Sequence, residues 1–536
     1  VLEYGCDVIL GPGLNIHRNP MCGRNFEYYS EDPVLSGKCA AAMIRGIQSC
    51  GVGTSAKHFA ANNQESCRIQ NNAVVSQRAL REIYLKSFEI AVKEGNPWSV
   101  MSSYNRVNGT YSMESRFLLT DVLRKDWGYR GIVVSDWFGK RDTPAQIHAG
   151  NDLLMPGEQA QVDEIIAAVR SGALAVEDLD ICAGRVLEYV LKTPHFRKYA
   201  YSDAPSLEQN ARVSASAASD GIVLLKNEDG ALPLAEGANV SLLGVNAYDG
   251  IVAGIGAGFV NSSYKVNLDE GLRNAGFILN PKTDAVYRRY MDYSEALLGE
   301  ENSRKHLGDR TFPAEAFLSD AFLGMRAADS DIAVISFGRL SGEYNDRYTR
   351  DFYLHEDELD LLRRTCAAFH SRGRKVVVVL NVCGVVETAS WKDLPDAILV
   401  NWLPGQELGN ATAAVLSAQV NPSGRLPMTF PLDYRDHLSS ENYPFDYTSK
   451  RSDWEYDAPE RKIRNLGWTE YLEGVDVGYR YFCTKAPEKI SFPFGFGLSY
   501  TSFEWSDAAL TRKGNDFRVT LRVTNTGDRP GRDVVQ

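Results

Sequence analysis

Residues 131–139 read Gly131-Ile-Val-Val-Ser-Asp-Trp-Phe-Gly139. The run from Ile132 to Ser135 is short, β-branched and bounded by turn signals, the pattern of a fully buried strand. It delivers a carboxylate, Asp136, and a large aromatic, Trp137, where the strand ends, and Gly139 is expected to let the chain turn sharply. A buried, unpaired carboxylate costs several kcal/mol. Asp136 therefore has two readings: a strand-end turn or helix cap, or a group kept for chemistry.

The same pattern recurs on either side. Strand-like runs at Cys6–Leu10, Gly51–Ala56, Ser99–Ser103 and Ile132–Ser135, with a shorter one at Leu153–Met155, alternate with helical stretches. The clearest helix is expected over Gln77–Glu94, with Ser76 as N-cap and Gly95 at the C′ position. Its Leu80, Tyr84, Phe88 and Ala91/Val92 share one face. Repeated β–α units imply a parallel sheet, open or closed. Polar groups favour closure. Arg24 follows the first strand, Lys57 and His58 the second, Tyr104 and Asn105 the third, Asp136 and Trp137 the fourth, and Asn151 and Asp152 lie by the fifth. In a TIM-type (β/α) barrel these positions converge on one face. Five or six β–α units are readable over residues 1–195, against eight in a closed barrel. The missing N-terminal units are expected upstream of Val1.

Beyond this domain, residues 196–216 are rich in Pro, Tyr, Ser and Asn and read as a linker. A second α/β domain is expected over 217–430, with strands at Ile222–Leu225, Val240–Val245, Ile332–Ser336, Val376–Asn381 and Ala397–Asn401. Helices are expected at Ala314–Arg326, Glu356–His370 and Gln406–Ser417. The glycines of Ala253-Gly-Ile-Gly-Ala-Gly258 do not have dinucleotide-loop spacing, which removes the main case for a dehydrogenase. A Gly-rich turn near a ligand fits better. Residues 431–505 read as a connecting segment. Phe517–Asn525 alternates strictly, as a half-buried strand does. With the turn 526–531 and a further strand at Asp533 it reads as the start of a β-sandwich over 506–536.

Composition narrows the function. The 536 residues are 44% hydrophobic and 24% charged, as in ordinary globular proteins. The net charge of −11, with no block of Lys and Arg, argues against nucleic acid and anionic membrane surfaces as partners. No apolar run approaches the ~18 residues of a membrane span. Nine Cys and eight His are scattered without metal-ligand spacing, so neither a metal nor a cofactor is expected. Compartment, cytoplasmic or secreted, stays open, as does a homo-oligomer.

A second acid stands out. Glu343 lies in Gly338-Arg-Leu-Ser-Gly-Glu-Tyr-Asn-Asp-Arg347, directly after a buried strand, where ligand sites of α/β domains form. Asp136 and Glu343, each at a strand tip of its own domain, suit divided labour. Glycoside hydrolysis needs such a pair, one carboxylate as nucleophile and one as proton donor. Arg24, Lys57, His58 and Tyr104 would hold sugar hydroxyls, and Trp137 would offer a platform.

Ordered motifs extend this reading. They are Gly11-Pro-Gly-Leu-Asn-Ile-His-Arg-Asn-Pro20, Gly23-Arg-Asn-Phe-Glu-Tyr-Tyr-Ser-Glu-Asp-Pro33, Lys57-His-Phe, Val134-Ser-Asp-Trp137, Ser341-Gly-Glu with Asp346-Arg347, and Pro422-Ser-Gly-Arg-Leu-Pro427. Val477-Gly-Tyr-Arg-Tyr-Phe482 and Phe492-Pro-Phe-Gly-Phe-Gly-Leu-Ser-Tyr500 follow. Together they resemble glycoside hydrolase family 3, especially its bacterial β-glucosidases. The resemblance implies a barrel, an α/β sandwich and the start of a fibronectin-III-like domain. It makes Asp136 the nucleophile and Glu343 the acid/base of a retaining, exo-acting β-glucosidase. Arg24, Lys57, His58 and Tyr104 match sugar-holding or nucleophile-supporting positions, and Trp137 an entrance aromatic. β-Xylosidase is the runner-up, and a non-catalytic sugar-binding protein the remote alternative. Lys57-His-Phe-Ala-Ala-Asn62 lacks the Pro-Gly-His continuation of the N-acetylglucosaminidase branch. Two departures matter. Tyr344 stands where many members have Gly, and the family's acidic sugar anchor lies before the first motif, so an upstream segment is expected to complete the barrel and the pocket.

Overall fold

In the computed structural model, which describes residues 1–139, 141–305, 307–443 and 467–535, the run Ile132–Ser135 is a strand with every residue buried. It is the last strand of a four-stranded sheet made of β1 (Val8–Ile9), β2 (Gly53–Phe59), β3 (Ser99–Ser102) and β4. All neighbours are parallel and lie in chain order. Parallel pairing needs crossover segments, and helix α1 (Pro33–Ser49) and the helical stretch 77–95 provide two of them. Leu80, Ile83, Tyr84 and Phe88 from the second stretch pack with Phe59, Val100 and Val133 in one core.

Local readings hold in part. Ser76 caps its helix, accepting from Ala79 N–H, but the stretch alternates α- and π-helical turns, and Asn96, not Gly95, takes the left-handed cap at φ +50°. The turn after Asp136 likewise uses Phe138 at φ +58°. Gly139 itself has no left-handed backbone; it packs under the end of the Met113 side chain, whose Cε would lie 2.5 Å from a Cβ there. Leu153–Met155 makes only a bridge to Val134. Asp152 serves the fold. Its fully buried carboxylate accepts from Val133 N–H (2.7 Å) and pairs with Arg124 (2.5 Å) and Arg185 (2.9 Å). Removing one member of such a buried cluster strands the other charges. Asp152→Ala is therefore expected to cost ~3–5 kcal/mol, read as a lower urea midpoint for the first unfolding transition.

The second sheet has six strands: β5 (Val223–Asn227), β6 (Asn239–Leu243), β7 (Ile278–Leu279), β8 (Ile332–Arg339), β9 (Lys375–Val382) and β10 (Ala397–Val400). Their spatial order is β7-β6-β8-β9-β10-β5, with only the edge strand β5 antiparallel. Central strands such as Val376–Val379 are fully buried, as sheets covered on both faces require. The strand order reverses between β6 and β8. Ligands of open α/β sheets bind at that switch point, beyond the carboxyl ends of the strands, and the Glu343 loop leaves β8 there.

Several expected boundaries move. Helix α2 (Leu207–Gly221) occupies half of the segment read as a linker, and α3 (Pro281–Ser303) was not expected at all. Helix α4 spans Asp320–Asp329, six residues after the expected start, because Ser319 is its N-cap. Helix α5 (Glu356–His370) lies as read, and α6 (Leu408–Leu416) falls inside the expected Gln406–Ser417. Residues 444–466 of the expected connecting segment lie outside the described residues. Strands β11 (Phe503–Lys513) and β12 (Asp516–Asn525) form an antiparallel hairpin. Its apolar side chains Leu510, Phe517 and Val519 are exposed rather than half-buried, and no strand follows through Val535.

Candidate active site

Asp136 sits where β4 ends, 7% exposed. Its Oδ1 accepts from Trp137 N–H at 2.8 Å, while Oδ2 has no hydrogen-bond partner. His58 Nε2 lies 3.9 Å from Oδ2. Burial pushes the carboxyl above the usual Asp range; the Arg68 and Arg24 guanidiniums oppose this, and the Glu343 charge adds to it. His58 is held neutral by burial and by the cations Arg24, Lys57 and Arg68. Its Nδ1 lies 3.2 Å from the Tyr28 hydroxyl, and its backbone is pinned by two bonds to Asn15.

Glu343 comes from the other domain and is 8% exposed. Its Oε1 lies 2.9 Å from Arg68 Nη1 and 3.7 Å from Arg24 Nη1, and its Oε2 accepts from Ala257 N–H at 2.8 Å. Burial favours the neutral acid, but Arg24, Arg68 and the Ala257 N–H outweigh it and bring the pKa down to about 2. Both directions run against what the expected roles require, a proton-carrying Glu343 and an ionised Asp136. The glycine turn 253–258 is thus used behind Glu343: Gly256 has φ +81°, and a Cβ on it would lie 2.4 Å from Glu343 Cβ.

Backbone contacts lock the two domains together here. The Asp346 carboxylate accepts from three N–H groups of the first domain, those of Gly23, Glu65 and Ser66. Ser341 donates to Gly23 O, and Arg347 N–H to Met21 O. A Cβ on Gly23 would lie 2.1 Å from Asn345 O, so only glycine lets the loops approach.

Most of the sequence-predicted residues converge, with altered partners. Arg24 pairs with Glu27 and reaches Glu343. Lys57 reaches Glu27 Oε2 at 3.6 Å rather than Asp136. Tyr104 donates to Trp137 O at 2.7 Å, and burial together with the Asp136 charge raises its phenol. Trp137 is half-buried against Met101, Ile132 and Val134. Phe138 beside it is 64% exposed. Sequence reasoning missed Arg68 and Glu65. The Arg68 guanidinium bridges Glu65 (2.8 Å) and Glu343 (2.9 Å) and lies over the Tyr104 and Tyr344 rings. Its one available signal was an acid–base pair three residues apart at the strand end that carries His58. A cavity of about 800 Å³ opens behind the Glu343 loop, lined by Glu315, Arg339, Gly342 and Arg347. Neither Asp136 nor Glu343 lines it. No described helix is long and apolar enough to cross a membrane.

Known proteins share this fold. Residues 1–189 match the glycosyl hydrolase family 3 N terminal domain, and residues 222–500 the glycosyl hydrolase family 3 C-terminal domain. The chain is 37% identical to thermostable beta-glucosidase B of Acetivibrio thermocellus and 37% identical to an exo-alpha-(1->6)-L-arabinopyranosidase of Bifidobacterium breve. Each match covers 99% of this chain and 65% of the relative, so the chain spans just under two thirds of their length. The structure of beta-glucosidase 3B from Thermotoga neapolitana in complex with glucose superposes with a TM-score of 0.92 at 43% identity, over 99% of this chain and 72% of that one. The chain belongs to glycoside hydrolase family 3.

Proposed function

We propose that the protein is a retaining β-glucosidase that releases terminal non-reducing β-D-glucosyl residues, with Asp136 as nucleophile and Glu343 as acid/base. The observation that carries this is the shared guanidinium. Arg68 acts electrostatically on both carboxylates, which come from strand tips of different domains. Two acids of divided role around one sugar ring are what glycoside hydrolysis requires. In the first step Asp136 attacks the anomeric carbon, the bond to the leaving oxygen breaks, and that oxygen takes a proton from Glu343. Water then attacks the glycosyl-enzyme, Glu343 accepts its proton, and Asp136 is released.

These charges fit this sequence when sugar hydroxyls hydrogen-bond to Arg68 and Arg24. A hydroxyl that takes the Arg68 donor weakens the contact that holds Glu343 low, and the added burial under a bound sugar favours the neutral acid, so that Glu343 can carry a proton. Neutralising Glu343 also removes the negative charge that raises Asp136, so each change favours the other. His58, Lys57, Arg24 and Tyr104 line the sugar side, and Trp137 and Phe138 its entrance. We also read the four parallel strands as part of a TIM-type barrel, supported by their sequential order. The second sheet is read as the α/β sandwich, and the β11–β12 hairpin as the edge of a fibronectin-III-like domain.

A 2-fluoro-glucoside with a good leaving group should trap the full-length protein as a covalent ester on the peptide containing Asp136, read by mass spectrometry. Label on another residue overturns the assignment. The arabinopyranosidase relative supports a second sugar reading. Comparing aryl β-glucoside, β-xyloside and α-L-arabinopyranoside decides it, with the glucoside expected to have the highest kcat/KM.

A further inference from the structure

Tyr344 follows Glu343 directly, and its backbone is left-handed, at φ +81°. A side chain of this size is strained there, so the surrounding structure must hold it. It does so on both sides. Tyr344 N–H donates to Glu65 Oε2 at 3.0 Å, Glu343 N–H donates to Ile255 O, and Gly342 bridges both Ile255 and Asn345. The Gly256 turn packs directly against Glu343, where a Cβ would lie 2.4 Å from Glu343 Cβ. The ring is therefore directed over Arg68, whose guanidinium carbon lies 5.1 Å from its centroid. Glu343, Arg68 and Tyr104 are almost fully buried, whereas Tyr344 is 41% exposed.

We propose that Tyr344 determines leaving-group specificity, its open ring surface forming the platform for the part of the substrate beyond the scissile bond. The inference rests on the reading of Glu343 as proton donor. An acid must lie beside the leaving oxygen, so whatever that oxygen carries extends on the Glu343 side. The exposed aromatic surface adjoining Glu343 in the chain is the Tyr344 ring. It stacks on flat apolar faces, either an aryl ring or the C–H face of a second pyranose, and offers nothing to a small leaving group.

The test uses the full-length protein, with kcat/KM for phenyl β-glucoside and for cellobiose each divided by that for β-glucosyl fluoride, whose leaving group is one atom. Tyr344→Gly should lower both ratios about tenfold, the effect of losing one aromatic contact. Tyr344→Phe should keep them within about twofold. Tyr344→Gly should also melt at or above wild type, because glycine relieves the positive φ. Unchanged ratios overturn the proposal. So does an equal fall for all three substrates, which would mean that the ring merely holds Arg68. A wild-type protein that cleaves none of the three sinks the β-glucosidase reading and this inference with it, one that cleaves the fluoride alone sinks the proton-donor reading, and an active wild type with unchanged ratios sinks the Tyr344 role alone.

Discussion

Asp136→Asn should lower kcat on activated aryl glucosides by on the order of 10⁴- to 10⁶-fold, the loss typical of removing a nucleophile, without destabilising the protein. The first half follows from chemistry, since an amide oxygen does not form the glycosyl ester. The second follows from burial. The Asp136 carboxyl titrates above its unfolded value, so the ionised form is disfavoured by folding. The sign is fixed by linkage. Stability from this group is present below the unfolded pKa and is lost as pH rises through the raised folded one. At neutral pH the wild type carries that cost, and an isosteric amide does not. Thermal melts should therefore place Asp136→Asn at or above wild type near pH 7, with the difference closing below about pH 4. A variant that loses both activity and stability would mean that Asp136 holds the fold together.

That contrast separates what was legible in the chain from what was not. Asp136 and Glu343 could be read because each breaks a local rule, an acid at the tip of a buried hydrophobic run. Arg68 breaks none. It lies in a loop without periodicity, and its partner Glu343 is 275 residues away, so its role exists only after the domains close. The downward shift of Glu343 was hidden for the same reason, because it depends on Arg24 and Arg68 meeting Glu343 across that interface.

The missed elements have similar causes. Helix α3 fully buries only Thr283, Tyr287 and Ser294 of its 23 residues, and its apolar stripe, Val286, Tyr287, Tyr290 and Met291, is short and only partly covered, although Asn280 followed by Pro281 marks the start. Helix α2 was hidden by its Ser, Ala and Asn content, which resembles a loop until Ala211 and Ser219 pack. Strand β7 has two residues, too few for any period. The β11–β12 alternation correctly gave strands but not burial, since period two reports which side chains share a face, not what lies against it.

Removing the carboxylate of Glu343 should separate substrates by their leaving groups. Glu343→Ala should leave dinitrophenyl β-glucoside glycosylation within about tenfold, because that phenolate departs without a proton. Methyl β-glucoside and cellobiose should fall by on the order of 10²- to 10⁴-fold, the usual worth of general acid catalysis. The fold should tolerate the change, since Arg24 keeps Glu27 and Arg68 keeps Glu65. Those two buried guanidiniums and the Ala257 N–H would then surround the space the carboxylate filled, a site that favours small anions. Added azide should enter it and attack the glycosyl-enzyme at the anomeric carbon, releasing Asp136 and giving β-glucosyl azide with no proton transfer. Turnover of the dinitrophenyl substrate should rise and saturate with azide, and the product should be identified by NMR. The pH dependence of stability supplies an independent check. Glu343 titrates at about 2 when folded, below its unfolded value. It stabilises the protein above the unfolded pKa, and that stabilisation is lost as pH falls through the folded one. The melting difference between wild type and Glu343→Gln should therefore shrink from pH 5 toward pH 2. Equal kinetic loss on every substrate, with no azide product, would remove Glu343 from the acid/base role and leave it as a counter-ion for Arg68.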